Sequence, residues 1–134
     1  MRRWFALTIL VSIALFTSGC GGVSFGCSAS VEPGIVVAVF DSETKAPAAD
    51  GAVATIRDGD FTQTLRGYSR RNSDTPGEPG ELLSFSGADE RSGTYTVRVE
   101  KAGYTPWEVK NVHVRKGDCH VETVRLEAYL TPVP

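Results

Sequence analysis

The sequence is short of nearly everything that marks an enzyme or a nucleic-acid binder. Only two histidines, His113 and His120, are present as bases for neutral pH, and no serine or cysteine sits in an activating motif such as G-x-S-x-G. The three cysteines show no CxxC spacing, which argues against a structural zinc site. Lys and Arg number 14 against 16 Asp and Glu, and no basic patch stands out, so nucleic acid is excluded as a partner. After Phe16 there is no second long apolar run and no amphipathic helical period. A polytopic membrane protein and a helical bundle are excluded on that ground.

What is present begins with an address. Arg2 and Arg3 form a positive segment, Trp4 to Phe16 is almost unbroken apolar sequence, and Thr17-Ser18-Gly19 supplies small residues before a cleavage point. Residues 1–19 are expected to be a signal peptide, since the apolar run is shorter than the roughly 20 residues of a membrane span. Thr17-Ser18-Gly19-Cys20 resembles the lipobox of bacterial lipoproteins, with Thr17 in the place of the usual aliphatic residue. The resemblance implies that Cys20 is lipidated and becomes the mature N-terminus, and more than one acyl chain gives stable anchoring. A membrane-anchored protein of the cell envelope, facing the periplasm or the cell surface, is the expected product. Loss of Arg2 and Arg3 leaves it with a mildly acidic balance.

With Cys20 occupied by lipid, Cys27 and Cys119 remain as a pair in a compartment where disulfides persist, and a bridge between them is expected. Closing so long a loop stabilises a fold by about 4 kcal/mol in the chain-entropy account. Residues 20–33 are small and polar without a period. They read as the lipidated cysteine and a flexible tether.

The rest reads as β structure over residues 34–130, with a short tail at 131–134. Ile35 to Phe40 is apolar on both parities, which suits a strand buried on both faces. Ala52, Ala54 and Ile56 alternate with polar neighbours, Asp58-Gly59-Asp60 is a tight-turn signal, and Phe61 to Leu65 reads as the returning strand. Arg66 to Gly80 lacks apolar period and reads as the longest loop. Glu81 to Phe85 forms a short strand. In Gly93 to Val114, Tyr95, Val97 and Val99 alternate with polar residues, Gly103 turns the chain, and a second strand runs from Trp107 to Val114. Tyr95, Tyr104 and Trp107 are expected in core and corner packing, with their polar atoms partnered. A turn at Lys116-Gly117 would set Val114 against Cys119, Val112 against Val121, Val109 against Val124 and Trp107 against Leu126, with a bulge between Val109 and Val112. The sum is an all-β fold, a seven-stranded antiparallel two-sheet sandwich.

Ile35 to Asp41 followed by Thr44, Pro47, Gly51 and Ala52, then Gly93-Thr94-Tyr95-Thr96-Val97 and Gly103-Tyr104 before a Val-rich strand, resembles a carboxypeptidase regulatory-like domain. The resemblance covers about Ile35 to Leu130 and implies a transthyretin-like sandwich of the immunoglobulin-like kind, used as a non-catalytic module. The usual glycine of the first turn is replaced here by Lys45 or Ala46. The Tyr-Arg-Gly-Ser tail of transthyretin-like hydrolases is absent, the chain reading Tyr129-Leu130-Thr131-Pro132 instead.

No catalytic activity and no cofactor are expected. The role expected is a binding or structural accessory module, attached to the membrane through lipid on Cys20, with an envelope protein or glycan as partner. The alternative is a small hydrolase working through His113 and His120, which the Lys116-Gly117 register places opposite one another. Those two histidines, with Glu122 or Asp118, are also the candidate ligands if a metal were bound, though none is expected.

Overall fold

The computed structural model describes residues 26–70 and 81–134. Residues 1–25, which include the expected signal peptide and the lipobox-like stretch ending at Cys20, and residues 71–80 lie outside the described residues. Nine strands are described: β1 (Ile35–Asp41), β2 (Ala52–Asp58), β3 (Phe61–Thr64), β4 (Arg66–Arg70), β5 (Glu81–Gly87), β6 (Gly93–Lys101), β7 (Tyr104–Thr105), β8 (Trp107–Val114) and β9 (Val124–Pro132). They form a five-stranded sheet in the order β4-β5-β1-β9-β7 and a four-stranded sheet in the order β3-β2-β6-β8. The fold is the β-sandwich expected from the alternation, with β4 and β7 added to the seven strands.

The core follows from strand period. Ile35, Val37 and Val39 of β1, Ala54 and Ile56 of β2, Tyr95, Val97 and Val99 of β6, Val112 and Val114 of β8, and Ala128 and Leu130 of β9 all point between the sheets and are buried. Tyr95 is the largest of the fully buried side chains. Its hydroxyl donates to the Arg91 carbonyl at 2.9 Å and accepts from Arg91 Nη1 at 2.7 Å, so its burial leaves no polar atom unpaired. The hydroxyl of Tyr104 donates to Asp41 Oδ2 at 2.9 Å. Trp107 packs on the core from its margin.

The hairpin of β6 and β8 pairs Gly93 with Val114, Tyr95 with Val112, and Val99 with Trp107. Its register shifts between Val109 and Val112, where Asn111 takes φ 59°, so the expected bulge is present. Gly103, at φ 80°, makes the turn that only a residue without Cβ makes cheaply. In the first turn Lys45 itself adopts φ 61°, in the left-handed region. Asp41 holds that turn by accepting the amides of Glu43 and Thr44 on Oδ1, each at 2.8 Å.

Five expectations are corrected. β8 and the following segment do not pair over the expected register, because β8 lies in one sheet and β9 in the other. A short turn joins the two segments instead, with Lys116 bridged to Val121, the Glu122 amide donating to the Arg115 carbonyl at 2.9 Å and the Gly117 amide to the His120 carbonyl at 2.8 Å. β9 instead runs parallel to β1, from Ile35 against Val124 to Asp41 against Leu130, so the sandwich is not wholly antiparallel. Its ladder continues through Thr131 and Pro132, which pair with Thr105 and Tyr104 of β7. Residues 66–70 of the expected loop form β4 as an edge strand on β5; with a polar sequence and one covered flank, it needs no apolar alternation. Finally, β1 is buried on its inner face only, and Val36, Ala38 and Phe40 on its outer face stay half-buried.

Candidate functional site

The two outward faces of the sandwich differ in chemistry. On the four-stranded sheet the outer face carries Thr55, Arg57, Thr62, Thr94, Thr96, Arg98, Glu108 and Lys110. Arg98 pairs there with Glu100 at 2.9 Å and with Glu108 at 3.4 Å. This is an ordinary solvated face, and exposed pairs of this kind contribute little to stability.

The five-stranded sheet is different because its central strand is apolar outward as well as inward. The strand registers place Arg66, Ser86, Val36 and Arg125 in one row across this face, and Tyr68, Ser84, Ala38 and Glu127 in the next. Phe40 and Tyr129 follow as neighbours and stack with centroids 5.5 Å apart. Leu83 is the extra residue of a bulge, since Tyr68 pairs with Ser84 and Ser69 with Leu82. The small side chains of Ser84 and Ala38 leave a groove of about 740 Å³ lined by Val36, Ala38, Phe40, Pro47 and Leu83, with Arg125 and Glu127 along one side. Tyr68, 64% exposed, stands beside it. The Tyr129 ring is already occupied by Phe40 and by Lys45 Nζ, 4.9 Å from its centroid, and its hydroxyl donates to Glu127 at 2.9 Å, a bond that raises the Tyr129 pKa.

A second cluster lies at the end of the sandwich where β1 and β9 begin. Cys27 and Cys119 are joined by a disulfide with Cα atoms 5.3 Å apart, as expected. Ser28 and His120 are the residues directly after them, and Ser28 Oγ lies 3.0 Å from His120 Nε2. His120 Nδ1 lies 2.6 Å from Glu90 Oε1, and Glu90 is supplied by the turn between β5 and β6. The carboxylate of Glu90 also accepts the Glu32 amide at 2.8 Å and the Val121 amide at 3.3 Å. The Glu32 amide, together with the His120 ring, holds the Glu90 pKa below the usual carboxylate value against the opposing effect of burial. Glu90 has φ 50°, in the left-handed region, and its own amide donates to the Glu32 carbonyl at 3.0 Å. Residues 26–33, expected as free tether, are therefore fastened to the domain from Cys27 onward.

His113 and His120 are not brought together as the local register required. His113 Nδ1 lies 3.0 Å from Thr94 Oγ1 on the neighbouring strand, whereas His120 is held by Ser28 and Glu90. Glu122 pairs with Arg115 at 2.7 Å. Among the described residues no three His, Cys, Asp or Glu side chains are grouped to hold a metal ion. Cys20 lies outside the described residues. Sequence reasoning missed both the groove, whose floor read as buried strand, and the Ser28–His120–Glu90 cluster. The signal for half of the cluster was present, because a bridge between Cys27 and Cys119 makes neighbours of the residues that follow them.

Compared with known proteins, the chain matches no protein-family model and no curated protein at a significant level.

Proposed function

We propose that this chain is an exported, lipid-anchored accessory module that binds an envelope protein through the outer face of its five-stranded sheet. The observation that carries the reading is the contrast between the two outer faces: one solvated and ion-paired, the other a groove floored by Val36, Ala38 and Phe40 beside exposed Tyr68. An apolar floor with a polar margin is the composition of a protein-binding patch. A protein partner is favoured over a glycan because the groove floor is aliphatic, built from Val36, Ala38, Pro47 and Leu83, and offers few hydrogen-bonding groups for sugar hydroxyls. The lipobox resemblance supports anchoring through Cys20, and the turn and strand motifs support a carboxypeptidase regulatory-like module. On this reading the role depends on binding and needs no turnover.

Photo-crosslinking from a benzophenone amino acid at Tyr68, in cells, tests the proposal. The expected result is a discrete protein adduct that disappears with Ala38→Arg and survives Thr96→Arg on the opposite face. An adduct equally sensitive to both changes, or pelleting of the protein with isolated cell-wall glycan that Ala38→Arg abolishes, would overturn it.

A further inference from the structure

We propose that Ser28, His120 and Glu90 form a nucleophilic triad, stapled by the Cys27–Cys119 disulfide, that takes an acyl group from carboxylic esters. The activity is additional to the binding face and does not rest on the anchoring reading. Its basis is the order of contacts: hydroxyl to imidazole at 3.0 Å, imidazole to carboxylate at 2.6 Å. That is the arrangement by which a serine is activated on unrelated folds, and it is recognised by geometry rather than by sequence motif.

Glu90 accepts two backbone amides, which help hold its pKa below the usual carboxylate value, and it faces His120 Nδ1 as an acceptor; the triad uses the tautomer with the ring proton on Nδ1. In that neutral tautomer Nε2 is the acceptor for the Ser28 hydroxyl, 3.0 Å away. Ser30 Oγ lies 2.7 Å from Ser28 Oγ and donates to Glu32 Oε1 at 3.1 Å. Ser28 is exposed, so an ester can reach it, while His120 is partly buried and oriented by Glu90, the positioning residue. The disulfide holds the residues preceding Ser28 and His120 together, which keeps the nucleophile on its base although Ser28 belongs to no strand.

In the reaction Ser28 Oγ bonds to the ester carbonyl carbon and its proton passes to His120 Nε2. The carbonyl–alkoxy bond breaks, and the alcohol leaves with that proton. Water then gives a proton to His120 and its oxygen to the acyl carbon, the carboxylic acid departs, and Ser28 is restored. The net change is ester plus water to acid plus alcohol.

An alkyl fluorophosphonate tests this on the purified full-length protein, because attack by Ser28 expels fluoride and leaves a permanent mass on the serine. The expected result is a single adduct on the peptide containing Ser28, absent in Ser28→Ala. His120→Gln is expected to slow labelling by about 100-fold or more. Reduction of the disulfide is expected to slow it as well, and Glu90→Gln to slow it with the bridge intact. Non-reducing mass analysis confirms the Cys27–Cys119 bridge in each variant, so a folding failure is not mistaken for a chemical one. Labelling of Ser28 no faster than that of the other exposed serines, or a rate unchanged in His120→Gln, would overturn the proposal.

Discussion

Ser28 and His120 stand 92 positions apart in the chain and 3.0 Å apart in space, each directly following one half of the Cys27–Cys119 bridge. The bridge therefore does more than shorten the unfolded chain. It fastens the segment before β1 to the loop between β8 and β9.

Replacing both cysteines, Cys27→Ser with Cys119→Ser, is expected to lower the free energy of unfolding by about 2–4 kcal/mol, measured by urea denaturation under non-reducing conditions. The hydrogen bonds from Ser28 and Glu32 to the domain should loosen with it. Faster amide exchange at Glu32 reports that loss.

Asp41 sets a pH dependence. The Thr44 amide, then those of Glu43 and the Tyr104 hydroxyl, hold its pKa below the ordinary 3.8, with desolvation opposing. A depressed folded-state pKa contributes stability that is complete above the unfolded value and is lost as pH falls through about 3.8 toward the folded one. Glu90, lowered from 4.5 for similar reasons, acts in the same direction. Asp41→Asn is expected to give a flatter loss of stability between pH 5 and pH 2 than the parent protein, followed by circular dichroism.

Tyr95→Phe removes a buried hydroxyl that both donates and accepts. Arg91 keeps its bond to Asp58 at 2.9 Å, but its carbonyl loses a donor. A cost of about 1–3 kcal/mol is expected in denaturant unfolding, with no change of fold.

Ala38→Arg and Thr96→Arg place the same charge on opposite outer faces. Both are expected to leave stability within about 0.5–1 kcal/mol of the parent, since neither position is in the core. Thermal unfolding checks that equivalence, without which the crosslinking comparison has no meaning.

The legible parts of this fold were those fixed by local period. Tyr95, Val97 and Val99 alternate within β6, Gly103 turns the chain, and the bulge at Val109 to Val112 shows as a change of parity within β8. What was not legible depends on long-range choice. Val109 and Val112 match Val124 and Val121 in apolar character, and such matching cannot distinguish a partner strand from a strand across the core. β9 takes its place beside β1 by a parallel pairing that no local turn encodes. β4 escaped notice because Arg66–Arg70 is an edge strand with a polar sequence. The apolar outer residues of β1 read as burial on both faces, and only the sheet order leaves them as a groove. In the second cluster, the pairing of Ser28 with His120 was implicit in the expected bridge. Glu90 was not, because the turn after β5 aims it there from a backbone conformation that non-glycine residues seldom adopt.

The most direct test of the account as a whole is mass mapping, without reduction, of the protein taken from the membrane fraction of its own cells. The account predicts a mature chain that begins at Cys20 carrying acyl groups, with the peptide containing Cys27 linked to the peptide containing Cys119. A chain that retains Arg2 and Arg3, or carries an unmodified Cys20 or free thiols at Cys27 and Cys119, would contradict it.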